Sequence, residues 1–129
     1  MIKDKLTEAF ADVSNELSRD INDLRFSGST CTSILAYGNK VWCANVGDSR
    51  TLLIRQDPKN LDGCQVRALS RDHKPDDPYE AERIRLSNGR IEAYKDERGN
   101  KIGPLRVWLP RDDVPGLAMT RSFGDATAA

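Results

Sequence analysis

Histidine is almost missing from this chain: His73 is the only one in 129 residues. Catalytic triads, histidine-rich zinc sites and histidine pairs are thereby all but excluded. Net charge is missing too, with 20 basic residues against 20 acidic ones. A general nucleic-acid binder needs a basic excess to neutralise phosphates, so no nucleic-acid partner is expected. No run approaches the roughly 18 apolar residues of a membrane span, so no membrane partner is expected either. Met1-Ile2-Lys3-Asp4-Lys5 leads into a charged stretch, not an apolar signal core. The cysteines, Cys31, Cys43 and Cys64, are few, odd in number and widely spaced. They form neither a disulfide framework nor a C-x-x-C pair. They read as reduced thiols, buried for Cys31 and Cys43, in an intracellular compartment, cytoplasmic or nuclear. Phosphate-cradling glycine loops and the G-x-S-x-G nucleophile elbow are also absent.

What is present bounds one small domain at most. Charged residues are 31% and hydrophobic ones 38%, polar for a compact domain but not disordered in composition. Ile2, Leu6, Phe10, Val13, Leu17, Ile21 and Leu24 step by three and four, which predicts an amphipathic helix over 2–24. Apolar and β-branched residues from Ser29 to Arg55 predict a three-stranded antiparallel meander. Gly38-Asn39 is its first turn and Gly47-Asp48-Ser49-Arg50 its second. The turn chemistry of Asp57 to Gly63 predicts a loop, followed by a short strand from Cys64 to Leu69. Asp77 as N-cap, Pro78 at the first helical position and Glu80 in a capping box predict a helix over 78–87, closed by Asn88-Gly89. Arg90 to Pro115 reads as a long excursion holding small strands, a length uncommon unless functional or mobile. Gly116 to Thr120 reads as a last strand and Arg121 to Asp125 as a turn. The fold class is therefore α+β.

Three places could carry chemistry. Asp48 in its tight turn is a rigidly placed hard oxygen donor suited to Mg²⁺ or Mn²⁺. For an isolated G-D-S-R, an Asx-turn onto its own backbone is the stronger reading. His73, beside Asp72, could form an acid–base pair; ordering a loop through hydrogen bonds is favoured. Arg121 could grip a phosphate, against the plainer reading of a strand-terminal turn capped by Asp125.

In order, the chain reads Ser27-Gly28-Ser29-Thr30, Ala44-Asn45-Val46-Gly47-Asp48-Ser49-Arg50 and Leu69-Ser70-Arg71-Asp72-His73-Lys74-Pro75. Arg106-Val107-Trp108-Leu109-Pro110 and Pro115-Gly116-Leu117-Ala118-Met119-Thr120-Arg121-Ser122-Phe123-Gly124-Asp125 follow. This series resembles the type 2C family of metal-dependent protein serine/threonine phosphatases, most of all its plant and protist branch. The resemblance implies part of an α/β sandwich, antiparallel sheets flanked by helices, spanning 1–129. It implies hydrolysis of phosphoserine and phosphothreonine in proteins, with Mn²⁺ or Mg²⁺ as cofactor and phosphorylated proteins as substrates. It makes Asp48 a ligand of an additional, more weakly held metal and residues 91–115 a flap beside the active site. It assigns no catalytic residue here, because the family's D-G-H-G segment, phosphate-gripping arginine and later metal aspartates have no counterpart. His73 is no substitute, standing as it does in D-H-K-P. The chain is therefore expected to be the middle of a phosphatase domain, inactive alone and prone to self-association through exposed sheet edges. The alternative is a non-catalytic module that binds a phosphoprotein or a regulator.

Overall fold

The fold was obtained as a computed structural model, which describes residues 1–57 and 59–128, apart from the side chains of residues 60–62. Pro58, within the loop expected from Asp57 to Gly63, lies outside the described residues.

The heptad-like stripe at the N-terminus forms helix α1, Ile2–Asp20. It stops before the expected residue 24. Ile21 is extended, at φ −109° and ψ 118°, and its N–H closes the last turn on the Leu17 carbonyl. Two side-chain and tertiary bonds explain the early end. The Asp23 carboxylate accepts the Arg25 N–H at 3.0 Å, the local competition by which Asp unravels helices. The Leu24 carbonyl accepts the Ala126 N–H at 2.8 Å from the far end of the chain. Along the stripe, Phe10 lies 5.6 Å from the Phe123 ring. No residue of α1 is fully buried.

Strands β1 (Gly28–Ser29), β2 (Cys31–Tyr37), β3 (Lys40–Val46), β4 (Leu52–Asp57) and β5 (Asn60–Ala68) follow. Gly38-Asn39 makes the expected two-residue hairpin turn: Tyr37 pairs with Lys40, and Gly38 has φ +60°. The three-stranded meander over 29–55 is corrected. β2 pairs only with β3, β4 pairs with β5, and Gly28–Ser29 pairs with Phe123–Gly124 instead. The Gly47–Arg50 turn redirects the backbone, so the residues leading into β4 meet the start of β2 through side chains. The hydroxyls of Thr32 and Thr51 lie 2.7 Å apart, as do those of Thr30 and Ser49. β5 also starts earlier than Cys64, at Asn60.

Helix α2, Pro78–Leu86, begins as its sequence dictates. The Asp77 carboxylate accepts the N–H groups of Tyr79 and Glu80 at 2.9 and 3.3 Å. It ends in a Schellman arrangement, with Asn88 at φ +64° and the Gly89 N–H on the Ile84 carbonyl at 2.9 Å.

The excursion is more ordered than its sequence suggests. β6 (Arg90–Lys95), β7 (Lys101–Trp108) and β8 (Pro115–Leu117) form one antiparallel sheet, ordered 6-7-8. Among the described residues, the buried apolar core is Ala81 and Ile84 of α2 with Ala93, Val107 and Trp108 of this sheet. The core thus sits between α2 and the 6-7-8 sheet. Gly116 makes that packing feasible: at φ +70°, a Cβ there would stand 2.7 Å from the Trp108 ring. β9 (Phe123–Gly124) and a single 3₁₀ turn, Ala126–Ala128, close the order. Two helices and small antiparallel sheets make the fold α+β, as expected. Cys31 and Cys43 are half-buried, not buried, and Cys64 is exposed; none is in a disulfide. No helix among the described residues is long and apolar enough to cross a membrane.

Candidate functional site

The Gly47–Arg50 turn projects from the end of β3, and several contacts hold it. Gly47 is buried, with φ +96°, and any Cβ there would meet the Thr30 methyl at 2.3 Å. Only glycine combines that backbone with that approach. The Gly47 N–H donates to His73 Nδ1 at 3.1 Å, and the His73 N–H donates back to the Gly47 carbonyl at 3.0 Å. Asn45 Nδ2 donates to the same carbonyl and to the Arg71 carbonyl, each at 3.1 Å. Arg50 grips Asp72 through two parallel bonds of 2.8 and 2.7 Å. Those bonds hold the Asp72 carboxyl below its ordinary pKa. The G-D-S-R and D-H-K-P segments are therefore one unit, with His73 and Asp72 as the joints. His73 takes the loop-ordering role favoured from sequence.

Asp48 sits at the tip, its side chain 28% exposed. Among the described residues its carboxylate has one partner, the Lys74 ammonium at 3.9 Å. An Asx-turn would show a bond to nearby backbone N–H groups, as Asp96 shows to Arg98 and Asn100 at 2.9 and 2.7 Å. Asp48 shows none, so its oxygens accept no hydrogen bond from the turn's own backbone and stand beside the Lys74 ammonium. A half-exposed, hard, anionic donor on a rigid turn fits the role of one ligand to Mg²⁺ or Mn²⁺. It does not fit a whole centre. Ions of this class take about six oxygen ligands, and no group of three or more His, Cys, Asp or Glu able to hold a metal exists among the described residues.

Arg121 is not free to grip a phosphate. Its guanidinium is committed to Glu80, with Nη2 at 2.7 Å from Oε1 and Nε at 2.9 Å from Oε2. Thr120 Oγ1 and Arg83 Nη2 also donate to Glu80, at 2.6 and 3.0 Å. Burial by itself would raise the Glu80 pKa; the bonds from Arg121, Thr120 and Arg83 outweigh it and hold the group at about 2. Glu80 is thus no capping-box residue. Sequence reasoning missed this hub, since Glu80 lies in a helix and Arg121 in a distant turn. The only sequence signal was the i, i+3 spacing of Glu80 and Arg83. The hub reaches the turn through one bond, from the Thr120 N–H to the His73 carbonyl at 2.9 Å.

These elements define the class: an α+β scaffold presenting one acidic side chain at the tip of a braced inter-strand turn. A family model described as "Protein phosphatase 2C" matches residues 1–128. "Probable protein phosphatase 2C 12" from Oryza sativa subsp. japonica is 43% identical over 118 residues, covering 91% of this chain and 29% of that protein. "Probable protein phosphatase 2C 61" from Arabidopsis thaliana is 45% identical over 108 residues, covering 83% of this chain and 31% of that protein. "Probable protein phosphatase 2C 52" from Arabidopsis thaliana is 44% identical over 119 residues, with 92% and 24% covered. The chain belongs to the protein phosphatase 2C family, and it spans about a third or less of the length of these curated relatives.

Proposed function

We propose that this chain is a segment of a metal-dependent protein serine/threonine phosphatase, contributing one metal ligand, Asp48, and the flap over residues 91–115. The observation that carries the reading is the partly exposed carboxylate of Asp48, free of any backbone hydrogen bond among the described residues, on a turn braced by the D-H-K-P segment, within a chain of this family. When bound, divalent ions of this kind lower the pKa of a water and neutralise charge developing on phosphate. The part played by this chain is orientation: Gly47 sets the turn, Arg50–Asp72 ties it to the following loop, and Asp48 stands at the tip beside Lys74.

Because one carboxylate cannot hold the ions, the 129-residue polypeptide alone has negligible activity. Phosphopeptide hydrolysis measured with millimolar Mn²⁺ is expected to stay at background. Clear turnover abolished by Asp48→Ala would overturn that expectation. If the whole protein that carries this segment also shows no turnover, the non-catalytic binding module becomes the better reading.

The isolated chain is also expected to self-associate. Tyr37, Ile34, Ile54 and Val66 are 76%, 54%, 61% and 57% exposed on the 2-3 and 4-5 hairpins, and each hairpin has unpaired edges. Light scattering after gel filtration should show species larger than a monomer, growing with concentration. A monodisperse monomer with a sharp cooperative melt would contradict it.

A further inference from the structure

We infer that His73 is a positioning residue for Asp48, holding the Gly47–Arg50 turn by clamping both polar backbone groups of Gly47. The inference rests on the reading of Asp48 as a metal ligand. It stands on geometry that residue types alone do not provide. One residue satisfies the Gly47 N–H through Nδ1 and the Gly47 carbonyl through its own N–H, at 3.1 and 3.0 Å. A buried glycine with positive φ has no side chain to anchor it, so its backbone bonds decide where the next residue points. That next residue is Asp48.

The imidazole has no competing duty. Nδ1 accepts a hydrogen bond, so the ring is neutral and its proton is on Nε2. Desolvation favours this neutral form. Among the described residues the Gly47 bond is the only hydrogen bond of the ring. His73 also lines a cavity of about 390 Å³ between α1 and β3, as does Arg121. Behind the ring, the His73 carbonyl accepts the Thr120 N–H at 2.9 Å. Thr120 and Arg121 are tied to α2 through Glu80. The clamp therefore connects the turn to the buried end of α2, and not to another loop.

The test uses the whole protein that carries this segment, with His73→Leu, His73→Asn and Asp48→Asn. Leu fills the space without an acceptor; Asn places Oδ1 where Nδ1 stood, two bonds from Cβ. Three measurements are made: Mn²⁺ binding by calorimetric titration, amide exchange of Gly47 to Ser49, and kcat for a phosphopeptide as Mn²⁺ is raised. His73→Leu should weaken Mn²⁺ binding about tenfold, the low end for loss of a group that orients a ligand. It should speed exchange at Gly47 while exchange in the 2-3 hairpin stays unchanged, and raising Mn²⁺ should recover part of the lost kcat. His73→Asn should restore both binding and protection. Unchanged Mn²⁺ binding and Gly47 exchange in a folded His73→Leu protein would overturn the inference, and so would an Asn variant as impaired as Leu. Asp48→Asn separates the two claims. If it leaves Mn²⁺ binding unaltered, the ligand reading fails, and the positioning inference that rests on it falls too. If it weakens binding while His73→Leu does not, only the positioning inference fails.

Discussion

Glu80→Ala is expected to destabilise the protein by about 3 kcal/mol, the low end of the range for breaking a buried ion pair. The Glu80 side chain is 4% exposed and receives bonds from Arg121, Thr120 and Arg83. Removing it strands two guanidinium groups at the start of α2. Arg121 keeps 38% of its side chain accessible, and Arg83 retains a 2.6 Å bond to the Thr120 carbonyl, which is why the low end applies. A thermal melt at fixed protein concentration should fall by roughly 10 °C. Glu82→Ala, on the exposed face of the same helix, should leave it in place. An unchanged melt for Glu80→Ala would refute the hub.

The same group predicts a pH dependence. Its folded pKa is held at about 2, below the ordinary value of 4.5. A depressed carboxylate stabilises the fold fully above its unfolded pKa and loses that contribution as pH falls through the folded one. The difference in stability between wild type and Glu80→Gln should therefore be constant near neutrality and shrink from about pH 4.5 down to about 2. The Asp72 and Asp23 carboxyls, held down by Arg50 and Arg25, titrate in the acid range too, but they are common to both proteins and cancel.

Trp108→Ala is expected to cost about 3–5 kcal/mol, as for other buried aromatic truncations. Trp108 is 6% exposed and is the largest side chain of the small core. Tyr94 meets its ring edge-on at 5.0 Å and 85°, a favourable aromatic geometry. Its Nε1–H is satisfied by the Glu92 carbonyl at 3.0 Å. Arg106, 4.9 Å over the Tyr94 ring, ties β7 to β8 through a 2.6 Å bond to the Gly116 carbonyl. Truncation thus opens a cavity where three strands meet. Chemical denaturation should show the loss, and proteolysis should begin in the loop between Lys95 and Lys101. Ile102→Ala, 54% exposed on the same strand, should be close to neutral. Wild-type resistance in Trp108→Ala would mean that the 6-7-8 sheet is not built on this core.

How much of this was legible before folding depends on how far apart the partners lie. Gly38-Asn39 encoded its hairpin because a two-residue turn needs positive φ where glycine supplies it. Asp77-Pro78 and Asn88-Gly89 marked both ends of α2, since cap chemistry acts within four residues. The apolar periodicity continues to Leu24 while α1 ends at Asp20, because the Leu24 carbonyl is taken by Ala126. The meander failed for the same kind of reason: alternation says that β4 is a strand, but not that β5 is its partner. At the candidate site, the carboxylate turn was legible and the meaning of its neighbours was not. Arg121 had the chemistry of a phosphate grip, yet Glu80 holds it.

By itself, then, the sequence determined the α+β character, the hairpin and helix ends, the family motifs and Asp48 as the acidic tip of its turn. These depend on local backbone preference and residue chemistry, which act over a few positions. The tertiary structure alone decided that Gly28–Ser29 pairs with Phe123–Gly124, that the excursion carries the core, and that His73 clamps Gly47 while Glu80 holds Arg121. Each of these joins groups distant in the chain, and the free energy of such contacts comes from burial and geometry that exist only once the chain has folded.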